Sequence, residues 1–491
     1  MIIWAVVLAA LLLHPAIAAG QDRNSILADV RAGQYKEACQ KLEQAIQSSP
    51  KDATLWTLNG YALAHLGKQS EALASYNQAL ALSPDYFPAL AGAAEIEYHA
   101  SDQNAVPLLQ KIVAIKPGDE TSHAMLAALA FERQDCKTAV NEFQESQALI
   151  TSQPGSLNEY ASCLLQVGRP EDAIKMFSRV TEIQPESDKA RYNLAVAQVM
   201  AKRYADAVAT LKPLIAKHPD DGSALDILAE AYEGLLDTPN AVASLRQAIA
   251  SHPDVPQYYL DFADICLAHR SYQVGIDMLN VGLKRLPNAG PLYLARGILA
   301  VQIDDFGQSR KDFEKAEQLD PELRYGRGIQ GLADLQANDL ARAEQDVRSR
   351  LNNAPGDAFL WYLLGETLTR GGATPDDPHF QEAVRSAEKA VQLRPDFPIA
   401  RNLLARLYLN EGRTDDAIRQ SRLAYEEDTT GESAQTALYH LITALRNSGK
   451  RDEIPALARK LADLREQTRA KETAERRYGL VEVSRSSSNG H

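Results

Sequence analysis

Small apolar side chains recur along this chain at a spacing of 34 residues, and nearly every recurrence is followed by a proline. Twelve residues separate the small position from the proline, as between Ala207 and Pro219. Six prolines follow one another at the repeat spacing: Pro185, Pro219, Pro253, Pro287, Pro321 and Pro355. A proline ring cannot continue the hydrogen bonding of a helix, so each repeat is predicted to end with a helix.

A second small position, earlier in each repeat, predicts the partner of that helix. It is occupied by residues such as Gly60, Ala161 and Ala229. Two helices cross at a short interaxial distance only where small side chains meet. Glycines such as Gly67 and Gly412 fall between the two small positions, where a turn with positive φ suits glycine. Each repeat is therefore predicted to be a pair of antiparallel helices.

This pattern resembles the tetratricopeptide repeat, a helix–turn–helix family with a period of 34 residues. The repeat that begins at Ala53 has large, small and helix-ending residues at the family's positions: Trp56, Gly60, Leu63, Gly67, Ala72, Tyr76, Ala79 and Pro84. The resemblance extends from about residue 24 to about residue 465. It implies an all-α, right-handed superhelical solenoid of about 12–13 antiparallel helix pairs, each stacked on the next.

The predicted organisation has three parts: a signal peptide at 1–19, the solenoid at 20–465, and a capping helix end with a disordered polar tail at 466–491. Within the solenoid, extra residues predict an insertion loop at 371–380.

The signal peptide is predicted from the apolar run 2–13 and from the A-x-A pattern at 16–18 that follows it. The apolar run is too short for a comfortable membrane span. We therefore expect an exported protein, in the periplasm or cell envelope if bacterial, whose mature form has no integral membrane segment. No Lys or Arg precedes the run, so an uncleaved anchor and a cytoplasmic scaffold remain alternatives.

Charge narrows the choice of partner. The net charge of −13 disfavours nucleic acid and anionic membranes. The expected partners are proteins or peptides.

Four cysteines occur without a C-x-x-C spacing, so neither a zinc site nor a thioredoxin-like motif is supported. We expect four small buried side chains at Cys39, Cys136, Cys163 and Cys266. Export would permit a disulfide, and only Cys136 and Cys163 lie in adjacent repeats.

The sequence carries no H-E-x-x-H, G-x-S-x-G or G-x-x-x-x-G-K-[ST] motif. Fewer than 40 residues follow the repeats, too few for a catalytic domain. We therefore predict a protein that is not an enzyme, with no cofactor, metal site or catalytic residue.

The resemblance implies that the first helix of each repeat lines a concave groove in which peptides lie. Acidic residues follow one stripe of one such helix, and others hold related positions in the next repeat: Asp226, Glu230, Glu233, Asp261 and Asp264. Like charges four residues apart destabilise a helix. We predict that these residues, with Tyr192, bind a basic segment of a partner. The alternative is a solvated acidic face.

A second candidate surface is an apolar strip at one groove position of consecutive repeats: Tyr98, Phe131, Leu165 and Val199. It would suit an amphipathic helix or an extended peptide, or it would simply fill the inner wall.

Two functions fit these observations. The first is a non-catalytic exported scaffold that assembles envelope or secreted proteins. The second is a regulatory or substrate-presenting subunit of a separate enzyme, such as a glycosyl-transfer or polysaccharide-export system.

Overall fold

The computed structural model describes residues 21–100, 103–320 and 326–476. The predicted signal peptide and the end of the polar tail lie outside these residues. The described residues form two compact units, the first ending at Lys217 and the second beginning at His218. All regular secondary structure in the described residues is helical, which confirms the predicted all-α fold class.

The first unit contains thirteen described helices: α1 Gln21–Arg31, α2 Tyr35–Ser48, α3 Ala53–His65, α4 Gln69–Leu82, α5 Phe87–His99, α6 Ala105–Ile115, α7 Glu120–Glu132, α8 Cys136–Glu145, α9 Gln147–Ile150, α10 Pro154–Gln166, α11 Pro170–Ile183, α12 Asp188–Met200 and α13 Tyr204–Lys217. Neighbouring helices in the sequence pack against each other as predicted antiparallel pairs, and each pair packs on the next. The short helix α9 follows an early end of α8, in the repeat where Thr151 replaces the recurring proline.

The second unit contains fourteen described helices: α14 Gly222–Gly234, α15 Thr238–Ser251, α16 Pro256–Ala268, α17 Tyr272–Arg285, α18 Gly290–Gln302, α19 Phe306–Leu319, α20 Gly326–Gln336, α21 Leu340–Asn353, α22 Ala358–Arg370, α23 Pro378–Leu393, α24 Pro398–Asn410, α25 Thr414–Glu427, α26 Gly431–Asn447 and α27 Ile454–Arg476. The same order of packing, helix on following helix, holds from α14 to α27.

Small residues meet large side chains where the helices cross. Tyr76 is fully buried on α4, and a Cβ atom added to Gly60 on α3 would lie 2.9 Å from its ring. In the second unit, a Cβ at Gly297 would lie 2.4 Å from Cε1 of Phe313. Ala207, at the small position twelve residues before Pro219, has no exposed surface. These contacts confirm that the recurring small residues mark helix crossings.

The turns within pairs take a left-handed conformation. Gly67 has a φ of 76° and Gly412 a φ of 77°, as predicted for turn glycines. Other pairs reach the same conformation without glycine, as at Leu236 with a φ of 60°. The connection between α22 and α23 occupies 371–377, shorter than the predicted loop at 371–380, since Asp377 caps α23 and Phe380 is buried.

One expectation about the cysteines is wrong. Cys136, at the start of α8, is bonded to Cys163 on α10, and their Cα atoms lie 4.8 Å apart. The helices α8 and α10 pack against each other, which brings the two sulfur atoms together. Cys39 and Cys266 are free and buried, as predicted.

Candidate protein-binding surface

The acidic residues predicted as a site lie on two first helices of the second unit, α14 and α16. Asp221 caps α14, since its Oδ1 accepts a hydrogen bond from the Ala224 amide at 3.0 Å. Pro256 occupies the first turn of α16, where its missing N–H costs nothing. With both starts fixed in this way, Asp226 on α14 comes beside Asp261 on α16.

Asp226 and Asp261 form a carboxyl pair. Burial, the Asp261 charge, the hydrogen bond between the two side chains and the Glu230 charge together raise the pKa of Asp226 to about 8. Asp226 is therefore mostly protonated at neutral pH, and its hydroxyl donates a hydrogen bond to Asp261. Asp261 Oδ1 also accepts a hydrogen bond from Gln257 Nε2 at 2.8 Å. The proton retained on Asp226 relieves the repulsion that two neighbouring carboxylates would have.

Glu230 and Asp264 extend this acidic surface into solvent. Both side chains are exposed. Partial burial of the carboxyl group and the Asp261 charge raise the pKa of each above its ordinary value. The electrostatic effect of Asp261 thus reaches three other acids, and we call Asp226, Glu230, Asp261 and Asp264 the acidic surface.

Glu233, which the helical spacing placed in the same stripe, has a different neighbour. Its Oε1 lies 2.6 Å from Nε2 of His269, a residue that is almost wholly buried. Thr238 Oγ1 lies 3.1 Å from the same nitrogen. The structure therefore gives Glu233, in the last turn of α14, a contact within the unit with the residue that directly follows α16.

The remaining predicted residue, Tyr192, lies on α12 in the first unit and is half-buried. Of the apolar strip, Tyr98, Phe131 and Leu165 are half-buried, whereas Val199 is buried and so fills the wall of the first unit.

Within the residues that the structure describes, no group of three or more His, Cys, Asp or Glu could hold a metal ion. Over those same ranges, no helix is long and apolar enough to cross a membrane.

Sequence reasoning missed a second polar site, on the first helices α22, α24 and α26. Asn402 and His440 contribute buried side chains to it. The two residues lie at no shared spacing with the acidic stripe, and neither belongs to a charge cluster. No signal in the sequence set them apart from other polar residues on helices.

Pairs of helices that cross at small residues and end before recurring prolines define an α-helical repeat protein. Family models agree: a tetratricopeptide repeat model matches residues 164–231 and 379–424, and a second matches 228–289. A model of the cytochrome c-type biogenesis protein H TPR domain matches residues 34–156. The chain belongs to the tetratricopeptide repeat family.

A relative in Bacillus subtilis (strain 168), the TPR repeat-containing protein YpiA, is 23% identical over 158 residues. The match spans 32% of this chain and 37% of that relative. The match to the yeast Tom70 crystal structure covers 92% of this chain and 93% of the Tom70 chain, with 17% identity and a TM-score of 0.45. The match to a chain of the APC/C hetero-tetramer Cut9–Hcn1 covers 86% of this chain and 82% of the matched chain, at 14% identity and a TM-score of 0.36. These structures are similar in fold alone.

Proposed function

We propose that this protein is an exported, non-catalytic scaffold that binds a basic segment of a partner protein on the acidic surface. The observation that carries the proposal is the juxtaposition of Asp226 and Asp261, where burial and the neighbouring carboxylate raise the pKa of Asp226 to about 8. A Lys or Arg side chain placed beside the pair would replace the proton on Asp226 and remove the repulsion between the carboxylates.

The neighbours of the pair support this assignment. Glu230 and Asp264 are exposed, so a ligand cation reaches them without displacing protein atoms. Across the four acids, an elongated segment with several positive charges fits better than a single ion. Glu233 is not included, because His269 already occupies its Oε1.

The direct test is charge reversal at the exposed acids. The variant Glu230→Lys/Asp264→Lys should lose binding of a ten-residue peptide of alternating Lys and Ala, measured by fluorescence anisotropy at low salt. The matched control, Asp220→Lys/Glu314→Lys, makes the same change of charge at exposed positions outside the acidic surface. Equal loss in both variants would show that only net charge matters and would overturn the site.

Export is supported by two independent features. The apolar run 2–13 precedes an A-x-A pattern, and Cys136 and Cys163 form a disulfide. Disulfides persist in oxidising compartments and are rare in the cytosol. Protein isolated from its native cells in the presence of an alkylating agent should expose two free thiols after denaturation, and its sequence should begin near Gly20. Four alkylated thiols would count against export.

The partner itself should be sought in the cell envelope. The model matched at 34–156 describes a domain of a biogenesis protein, which supports a role in assembling other proteins. Crosslinking of the tagged protein in its native envelope, followed by peptide mapping, should give crosslinks near α14 and α16 to a protein with a basic segment. A stoichiometric complex with a separate enzyme would instead favour the role of an enzyme subunit.

A further inference from the structure

A hydrogen bond to the recurring prolines repeats along the chain. In these repeats, the residue six positions after the proline donates from its side chain to the proline carbonyl oxygen. Trp56 donates to Pro50 at 2.9 Å. Tyr259 donates to Pro253 at 3.0 Å. Further pairs of this kind are Arg191 and Pro185, Tyr293 and Pro287, Trp361 and Pro355, and Arg401 and Pro395. Each bond fastens the turn between two helix pairs to the first helix that follows it.

His123, on α7, occupies this position with a side chain that titrates near neutral pH. Its buried ring places Nε2 2.9 Å from the Pro117 carbonyl oxygen. Nδ1 lies 2.6 Å from Oε2 of Glu142 on α8. A carbonyl oxygen and a carboxylate only accept, so both contacts are hydrogen bonds only when both ring nitrogens carry a proton. Trp, Tyr and Arg side chains keep their donor protons over the physiological pH range, whereas an imidazolium loses one.

The groups around the ring favour its charged form. Burial by itself lowers the pKa of His123. The hydrogen bonds to Glu142 and to the Pro117 carbonyl oxygen, with the charges of Glu142 and Glu145, outweigh burial and raise the pKa above its ordinary value of 6.5. Both acids lie on α8. The short helix α9 carries no charged residue, and Lys111, the charged residue of α6, is exposed.

The other charges near α7 have partners or act elsewhere. Lys116, in the turn before α7, pairs with Asp119, and 2.9 Å separates Nζ from Oδ1. Asp119 also caps α7, since its Oδ2 accepts a hydrogen bond from the Ser122 amide at 3.1 Å. Glu159, the charged residue of α10, has its pKa raised by burial and by Glu132. Glu142 is therefore the group that decides the charge of the ring.

We propose that His123 is a pH-dependent clamp, which fastens the turn before α7 to the pair α7–α8 at low pH and releases it as the pH rises. When the ring loses a proton, only one of its two hydrogen bonds persists. A bond to a carboxylate is the stronger, so Nδ1–H stays with Glu142 and the Pro117 carbonyl oxygen loses its donor. Pro117 is exposed, so water replaces the imidazole there.

The sign of the effect on stability follows from the raised pKa of His123. The folded state binds the proton more tightly than the unfolded state does. The stabilisation is therefore complete below the unfolded pKa and is lost as the pH rises through the folded pKa. The turn at 116–119 and the start of α7 should then open more often at high pH.

The test measures hydrogen exchange of the amides of residues 119–123 in the full-length protein between about pH 5 and pH 9. After correction for the chemical exchange rate, protection in wild type should fall about threefold to tenfold over this range, because one hydrogen bond is lost. Nuclear magnetic resonance of the histidine rings should show His123 titrating above pH 6.5, in the same step as the change in exchange.

Two substitutions should fix the clamp in one state. His123→Arg should keep the turn protected over the whole range, because arginine stays charged and makes the same bond at Arg191 and Arg401. His123→Asn retains a donor near the place of Nδ1 but does not reach the Pro117 carbonyl oxygen. It should show the low protection of the open turn at every pH.

A third variant leaves the ring in place and changes only its partner. Glu142→Gln removes the neighbouring charge, so the ring titration and the exchange step should both move to lower pH. It decides the outcome even if an arginine is too large for the site. The control His99→Asn, at an exposed histidine on α5, should leave the step as in wild type. Protection that does not depend on pH in wild type, a step that persists in His123→Asn, or a His123 ring that titrates below pH 6.5 would overturn the proposal.

Discussion

Tyr76 on α4 fills the space that the missing Cβ of Gly92 leaves on α5, the first helix of the next pair. A Cβ atom at Gly92 would lie 2.3 Å from Cζ of Tyr76 and 2.6 Å from its hydroxyl oxygen. The tyrosine is fully buried, so its ring cannot swing into solvent. One aromatic ring thus fixes the spacing between two consecutive helix pairs of the first unit.

Gly92→Ala should therefore destabilise the first unit by about 1–3 kcal/mol through overpacking. In an unconstrained helix the same change would be stabilising, because alanine favours the helix over glycine. Urea denaturation measures whether Gly92→Ala lowers or raises the free energy of unfolding, and this decides between overpacking and helix propensity. Gly118→Ala is the control, since a Cβ there meets no atom within 4 Å. A stabilised Gly92→Ala would show that Tyr76 does not fill this space.

Ala207→Leu tests the crossing of α13 with α12. Ala207 has no exposed surface, so a leucine there should overpack the crossing and cost about 1–3 kcal/mol. The control Ala216→Leu makes the same change at an exposed position of the same helix. Thermal melts should show a lower midpoint for Ala207→Leu than for Ala216→Leu. Identical melts would mean that the repeat register is misplaced here.

The Asp226–Asp261 pair predicts a pH dependence of stability. The pKa of Asp226 rises to about 8 on folding, from an ordinary value near 3.8. The folded state thus binds the proton more tightly than the unfolded state, so the contribution to stability is greatest below the unfolded pKa. It declines as the pH rises through the folded pKa. Asp226→Asn should flatten the decline in melting temperature between about pH 5 and pH 8. Asp220→Asn, at an exposed acid, should leave that decline as in wild type.

The same pair predicts release of a proton on binding. A basic peptide beside Asp226 favours its ionised form, so binding at pH 7 should release up to one proton. Calorimetric titrations with the Lys–Ala peptide in buffers of different ionisation enthalpy would measure the number of protons released on binding. Asp226→Asn should bind the peptide with no proton release. Equal proton release in wild type and Asp226→Asn would assign the proton to another group.

The Cys136–Cys163 disulfide should stabilise the region from α7 to α11. It closes a loop with a sequence separation of 27 residues, for which loss of conformational entropy in the unfolded state predicts about 3–4 kcal/mol. Hydrogen exchange should therefore speed up in these helices after reduction, while the second unit keeps its protection, because the stability of repeats is largely local. Cys136→Ala/Cys163→Ala should behave like the reduced protein in either redox state. If reduction leaves hydrogen exchange in these helices unchanged, the disulfide adds no local stability.

The recurring residues predicted most of the fold. Prolines and small residues act through local backbone geometry and through contacts between neighbouring helices, and both depend on positions that a period of 34 residues keeps in register. The predicted helix pairs, their glycine turns and the buried Ala207 follow from that register. The stripe of acids on α14 was also visible, because helical spacing alone places residues three and four apart on one face.

Contacts between repeats could not be predicted in the same way, because they depend on how far each helix is rotated and displaced against the next. Helical spacing placed Glu233 with Glu230, whereas packing of the helices brought it to His269. The same spacing did not show that Asp226 and Asp261 share a proton, that Cys136 reaches Cys163, or that Tyr76 requires a glycine at position 92. The sequence by itself determined the repeat, the helix pairs and the acidic character of one surface. The tertiary structure decided which side chains meet, since distances of a few ångströms depend on the packing of whole helices.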